Sequence, residues 1–344
     1  MNVSKTAPVM DLLHRYSSKD VPLFGPEEEA LIPKRWETRV QIEGDMGRYP
    51  FMYVGEGHNR IYIVANGEVV WTYDTGLGGE LDDAWVLSNG NVLFSRMYWC
   101  AEVTPEKEVV WRYDLPEGTE VHSLQPIGPD EVLMVVNAPT PQAVIMNKHT
   151  MEITYQHDIP YEPNSEVHTM FRRIRMTAEG TFLLAYLTRG KVVEYDRDFN
   201  EIWRFECTKP WSCQRLHNGN TLITDETDCI VYEVDKQGNI VWQYSEDDAP
   251  EWLGQVGKFE RPTQAPNSTK KSETIGWQSC IRLANGNTVF SVQGAFGQAP
   301  QFFEVTPEKE VVWYLKNWRD LGPATHIQIL SDPGIPENPG ECQR

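Results

Sequence analysis

Three of the eight histidines, His122, His168 and His326, stand in similar places of different sequence repeats, each at the start of an apolar run. Imidazole changes charge near neutral pH, so a convergent set can give and take protons. A lone histidine at a strand end is usually only a satisfied polar group; three converging with cations and acids are not. The segments between repeats supply both: Arg96 in "LFSRMYW", Arg172 and Arg173 in "YEPNSEVHTMFRR", and Glu80, Asp82 and Asp83 in "GLGGELDDAW". An arginine can hold a carboxylate through two hydrogen bonds while a histidine or tyrosine acts as base or acid. That combination points to a lyase or hydrolase acting on an acidic or decorated oligosaccharide.

On this reading His122, His168 and Arg96 are the candidate catalytic groups. Asp83, Trp99, Arg172, Arg189, Trp211, Asp225, Trp277, Gln278 and His326 are the candidate ligand contacts. Trp99, Trp211 and Trp277 fall outside the repeated core position described below, and open aromatic faces beside acids and amides suit sugar rings. Asp82/Asp83 and Asp225/Glu226 are possible carboxylate pairs for glycoside chemistry. Catalysis requires His122, His168 and Arg96 to lie within about 8–10 Å, the span of one water-bridged substrate.

These residues have to be placed by something, and the sequence repeats itself. "EVTPEKEVVW" occurs letter for letter at 102–111 and 304–313. "LSNGNVLFS", "LHNGNTLIT" and "LANGNTVFS" repeat a hairpin signal, in which a type I′ turn would place both Asn and Gly at positive φ. A second phrase ends each unit with an aromatic residue: Trp71, Trp111, Tyr155, Trp203, Trp242 and Trp313, spaced 40, 44, 48, 39 and 71 residues apart. A unit of about 40 residues with four short strands is the pattern of a propeller blade.

The sequence therefore predicts an all-β, six-bladed propeller of four-stranded antiparallel blades. The first blade lacks its innermost strand and "ATHIQILSDPG" follows the last, so the C-terminal strand is expected to complete the first blade. Seven blades is the alternative if residues 36–46 add another strand set. The expected organisation is an N-terminal extension (1–46) packing on the propeller, one propeller domain (47–330) with an insertion at 246–276, and a tail (331–344). Helical patterning is confined to 8–16 and 26–35. The insertion is polar, contains proline and lacks a strand pattern; long loops of this kind are commonly functional lids or disordered.

The units "LSNGNVLFSRMYWCAEVTPEKEVVWRYD", "LHNGNTLITDETDCIVYEVDKQGNIVWQY" and "LANGNTVFS" with "FFEVTPEKEVVW" resemble the quinoprotein-like and arylsulfotransferase-like β-propeller group over residues 47–330. For the arylsulfotransferase branch the resemblance implies sulfate transfer through a histidine, supported by neighbouring His, Arg and Asn. "LFSR" with Arg96 matches that family's strand ending in arginine. The family's His-x-Asn phrase is missing; "HSL" stands at His122 and "HTM" at His168. The matching residues are turn and core positions, which speak for fold and not activity.

The formal net charge is −19, which argues against nucleic acid, whose phosphates need Lys/Arg neutralisation, and against anionic membranes. The expected partner is a small-molecule or oligosaccharide ligand of a monomer. No cofactor is expected and no metal ligand is assigned, although "DETD" and "EDD" offer oxygens that Ca²⁺ accepts, without the spacing of an EF-hand. Six cysteines form no CxxC pair and read as reduced, mostly buried thiols. No apolar stretch long enough for a membrane span or a signal peptide is present. The expected location is cytoplasmic, or secreted or periplasmic if a signal peptide has been removed.

Overall fold

The computed structural model describes residues 13, 15–17, 22, 42–44, 49–55, 59–76, 78–250, 276–293, 300–317 and 321–341. Six antiparallel sheets are arranged as the blades of a propeller. The innermost strands of blades 2 to 6 are Asp83–Val86, Glu120–Ile127, Phe171–Met176, Pro210–Arg215 and Trp277–Arg282. Blade 1 takes its innermost strand from the far end of the chain, as expected: His326–Ile329 pairs with Phe51–Gly55, His326 opposite Val54 and Ile329 opposite Phe51. Closure leaves no open edge between chain start and chain end.

Ile42–Gly44 does not begin a seventh blade. It pairs with Val311–Leu315 as a fifth, outermost strand of blade 6, covering an edge that would otherwise be exposed. Of the helix expected over 8–16, Leu13, Arg15 and Tyr16 are described and helical. Tyr16 is buried edge-on against Trp71, with 5.5 Å between ring centroids, and its hydroxyl donates to the Gly90 carbonyl. The helix expected over 26–35 and nearly all of the insertion at 246–276 lie outside the described residues.

The hairpins differ from expectation in turn type. At 87–91, Gly90 N donates to Leu87 O and Leu87 N to Asn91 O, and the same pattern recurs at 216–220 and 283–287. Gly90, Gly219 and Gly286 have positive φ and the preceding asparagines do not. Each is therefore a type I turn followed by a left-handed glycine, the three-residue hairpin solution. The asparagine instead uses its side chain: Asn89 Oδ1 accepts from Asn91 N at 2.8 Å.

The repeated aromatics form the contacts between blades. Trp71 Nε1 donates to the Pro105 carbonyl of blade 2 at 2.8 Å, and Trp242 Nε1 to the Pro307 carbonyl of blade 6 at 2.9 Å. Tyr155 makes the equivalent bond from blade 3 to Arg197 O of blade 4 at 2.9 Å. The "TPEK" turn of one blade is thus the socket for the aromatic of the blade before it. Trp71, Trp111 and Trp313 are buried; Trp203, Trp242 and Tyr155 are half-buried.

Candidate functional site

The strand starts that open on the channel are shaped by β-bulges. In blade 4 the register skips Arg172 between Phe171 and Arg173, in blade 5 Trp211 and in blade 6 Gln278. In blade 3, His122 and Ser123 together oppose Val135 alone. A bulge adds an unpaired residue and re-aims its side chain, a device frequent beside functional sites. Arg172, Trp211, Gln278 and His122 therefore occupy equivalent positions in four consecutive blades.

At this mouth of the channel three carboxylates, two imidazoles and one guanidinium meet. His122, 1% exposed, has Nδ1 2.7 Å from Asp82 Oδ2 and 3.2 Å from Glu80 Oε2, and Nε2 3.0 Å from Glu120 Oε2. His168, in a turn of 3-10 helix at Val167–Thr169, has Nδ1 2.9 Å from the same Glu120 oxygen. Its Nε2 lies 3.3 Å from Glu80 Oε1 and 3.2 Å from Arg172 Nη2. Arg172 also donates to the His168 carbonyl and stacks over Trp211, 5.0 Å from the ring centroid. Its Nε has no hydrogen-bond partner among the described residues.

The electrostatics follow from this geometry. Burial and the Arg172 charge oppose a proton on His122, but Asp82, Glu120 and Glu80 outweigh them and lift it to about 10. Glu120 and Glu80 raise His168 to about 9. Burial disfavours the charge on Glu120, yet hydrogen bonds from both imidazoles bring it down to about 2. Glu80 is lowered for the same reason, while burial and the Glu80 charge raise Asp82.

His168 Nε2 faces a fork. With a proton, it donates to Glu80. Without one, it accepts from Arg172. Either protonation state has a partner already in place, which suits a group that moves protons. The trio Glu80, His122 and His168 also offers ligand atoms within 4.8 Å of one another, so these are the residues that could hold a divalent cation.

The other candidates are placed elsewhere. Arg96 turns back to the Gly76 and Gly78 carbonyls, and its Nε and Nη1 lack partners among the described residues. It is Arg172, and not Arg96, that joins the two histidines. Asp83 is fully buried one layer down, ion-paired to Arg173 at 2.6 Å and to Arg175 at 2.8 Å. His326 lies 3.9 Å from Asp83. Trp277 is 0% exposed in the core of blades 5 and 6, not open to a ligand. Trp99 sits on the third strand of blade 2 under Arg112, 4.1 Å from its guanidinium carbon. Arg189 pairs with Glu162 at 2.7 Å.

Asp225 accepts the backbone N–H groups of Thr208, Lys209 and Asp228, and Glu226 pairs with Lys209 at 2.5 Å. The four carboxylates offered as acid/base pairs each have other partners. Asp248 likewise pairs with Lys309 at 2.9 Å. Gln278 donates to Gln293 and its Oε1 has no partner among the described residues.

Glu120 escaped notice in the sequence. The available signal was its position two residues before His122, on the same face of a strand. Arg175 escaped because it is the third arginine of the strand FRRIRM, beyond the strand start at which Arg172 and Arg173 were counted.

Cys100, Cys213, Cys229 and Cys280 are buried and Cys207 is half-buried. Among the described residues no helix is long and apolar enough to cross a membrane.

No family model matches the sequence, and no curated protein matches it. Solved structures match the fold. A protein of unknown function from Bacteroides caccae superposes with a TM-score of 0.69 at 20% identity, over 81% of this chain and 98% of that one. A streptogramin B lyase matches at 0.53 and 11% identity, over 84% and 86%. A catalytically inactive virginiamycin B lyase from Staphylococcus aureus, with quinupristin, matches at 0.52 and 10% identity, over 82% and 90%. At such identities the likeness is one of fold alone: the chain is a six-bladed β-propeller of four-stranded antiparallel sheets.

Proposed function

We propose that this propeller is a lyase or hydrolase that binds a polar, carbohydrate-class ligand at the channel mouth and uses His168 to move a proton. The observation that carries the reading is the fork at His168 Nε2, where Glu80 receives the protonated form and Arg172 the neutral one. His168 is half-buried and open to a ligand, while His122 is sealed beneath it. Glu120 orients both rings, as the third member of a catalytic set usually does.

Elimination is the favoured reaction. Neutral His168 takes the proton α to a uronate carboxylate, whose charge the free Nε of Arg172 holds. The same imidazole then returns that proton to the leaving glycosidic oxygen as the C–O bond breaks and the C=C bond forms. In hydrolysis His168 gives its proton first and regains one from the water that adds to the sugar carbon. That two structural neighbours are named lyases is in keeping with the first form.

A non-catalytic binding role is the second reading, favoured because each ring nitrogen of His122 and His168 already has a carboxylate beside it. Histidine sulfation, implied by the arylsulfotransferase-like resemblance, is weaker. Three carboxylates around the rings repel a sulfate, and a nucleophilic imidazole has to be unprotonated.

The test is incubation with uronate-containing oligosaccharides, following the ultraviolet absorbance of an unsaturated product and, separately, new reducing ends. Turnover that His168→Gln removes supports the enzyme reading. Binding without turnover supports the second reading, and neither binding nor turnover rejects the carbohydrate assignment.

A further inference from the structure

Arg173 and Arg175, the ion-pair partners of Asp83, line a cavity of about 360 Å³. Trp85, Arg173, Arg175, Gln214, His326 and Ile335 are among the residues that line it; Asp83, His122 and His168 are not. We infer that this cavity is a binding site for a small organic monocarboxylate with an apolar body.

The floor of the cavity is cationic and held from behind. Asp83 grips Arg175 through two hydrogen bonds of 2.8 and 2.9 Å and Arg173 through an ion pair at 2.6 Å. Ser123 Oγ and Leu124 N complete its acceptor sites, each at 3.1 Å. Two buried guanidiniums thus share one carboxylate. A buried charge without a counter-charge is costly, and a monoanion supplies the one that is missing. Arg282, also in the wall, is already neutralised by Glu233 at 2.8 Å. Asp332, half-buried at the rim, accepts from Ala284 N at 3.0 Å.

Five polar atoms of the lining have no hydrogen-bond partner among the described residues: Arg173 Nη1 and Nη2, Gln214 Nε2, His326 Nδ1 and Ser331 Oγ, with Arg173 Nη1 facing Asp83 as an ion pair. Arg173, Gln214 and His326 are 1%, 7% and 6% exposed, and Ser331 is half-buried. Buried donors left unmatched are rare and unfavourable. The guanidinium and amide nitrogens among them can only donate, so they ask for an acceptor, and a carboxylate has two oxygens to offer. Burial and the two arginines keep His326 neutral, at about 3 despite Asp83, so it adds no third cation. Trp85, which lies against Arg175 and His326, adds apolar surface together with Ile329 and Ile335, and this fits a hydrocarbon or aromatic body better than a sugar. None of these residues belongs to the proton-moving site, so this inference stands or falls separately.

The probes are benzoate and indole-3-acetate, with benzamide and indole-3-acetamide as uncharged counterparts and inorganic phosphate as a plain anion. Thermal shift and titration calorimetry on the full chain are expected to show stabilisation by the carboxylates and none by the amides or phosphate. Gln214→Leu, which alters no ion pair, is expected to weaken benzoate about tenfold, the loss of one charge-assisted bond. Arg173→Gln is expected to abolish binding if it folds; Gln214→Leu decides the matter if it does not. Equal shifts from carboxylate and amide, equal shifts from phosphate, no carboxylate binding, or benzoate binding unaltered in Gln214→Leu would each overturn the inference.

Discussion

His122 and His168 meet edge to face, with ring centroids 5.3 Å apart and planes at 76°, and one oxygen of Glu120 lies within 3.0 Å of a nitrogen on each. The pair is unequal: His122 is sealed in, while the His168 side chain is 33% exposed. His122→Leu leaves Asp82, Glu80 and Glu120 without their shared cation and is expected to cost about 3–5 kcal/mol. His168→Leu is expected to cost about 1 kcal/mol or less. Urea unfolding of the two variants measures the difference, and equal costs would contradict the assigned burial.

The same asymmetry sets the pH dependence of stability. Both histidines have folded-state values above the ordinary 6.5, about 9 for His168 and about 10 for His122. A raised value means that the folded state holds the proton more tightly, so the stabilisation is fully present below about 6.5 and is lost as pH rises towards 9 and 10. Glu120 runs the other way. Its lowered value, about 2 against an ordinary 4.5, gives stability above 4.5 that is lost as pH falls towards 2. The thermal midpoint should decline on both sides, and the alkaline decline should shrink in His122→Gln.

Turnover carries its own pH signature. If neutral His168 starts an elimination, the rate rises with pH up to about 9; if its proton is given first, the rate falls above that value. Removing a general acid–base group typically costs about 10²–10⁴-fold, so His168→Gln should lose that much in kcat. Arg172→Lys keeps the charge but not the free Nε, and should raise KM for uronates more than it lowers kcat.

Two tryptophans in the same repeat position make an internal control. Trp71 Nε1 donates to Pro105 O at 2.8 Å, whereas Trp111 Nε1 is buried with no partner among the described residues. Replacing either with phenylalanine removes similar ring volume, so the difference isolates the hydrogen bond. Trp71→Phe should be less stable than Trp111→Phe by about 1 kcal/mol. Chemical denaturation of both variants checks it.

The seam of the ring offers one more test. A Cβ on Gly55 would overlap the carbonyl of Pro323, just before the closing strand. Gly55→Ala is therefore expected to destabilise by about 3 kcal/mol, through the join between chain start and chain end. Faster proteolysis near residues 321–330 in this variant would locate the loss there.

The propeller could be read from the chain because its signals are local. The hairpin phrases and the closing aromatic phrases each occupy fewer than ten residues, and each recurs. The site could be read only in part. His122, His168 and Arg172 stood out by residue type and position. The bulges that aim His122, Arg172, Trp211 and Gln278 leave no mark in composition, because they depend on how one strand counts against its neighbour. The same limit explains Arg96 and Trp277. Both carry the right chemistry, but the direction of a side chain is decided by packing partners that come from other blades.

Ring closure by His326–Ile329 ties the interior to the order in which the chain is made. Until that strand arrives, a growing chain holds five full blades and an open arc with Phe51–Gly55 unpaired, and the cavity lacks both His326 and the wall at 330–336. A molecule lodged between Arg173 and His326 would touch blade 4 and the strand that closes the ring at once. Occupying the channel and keeping the ring shut are then one equilibrium viewed from two sides, and whatever fills the cavity acts as a clasp.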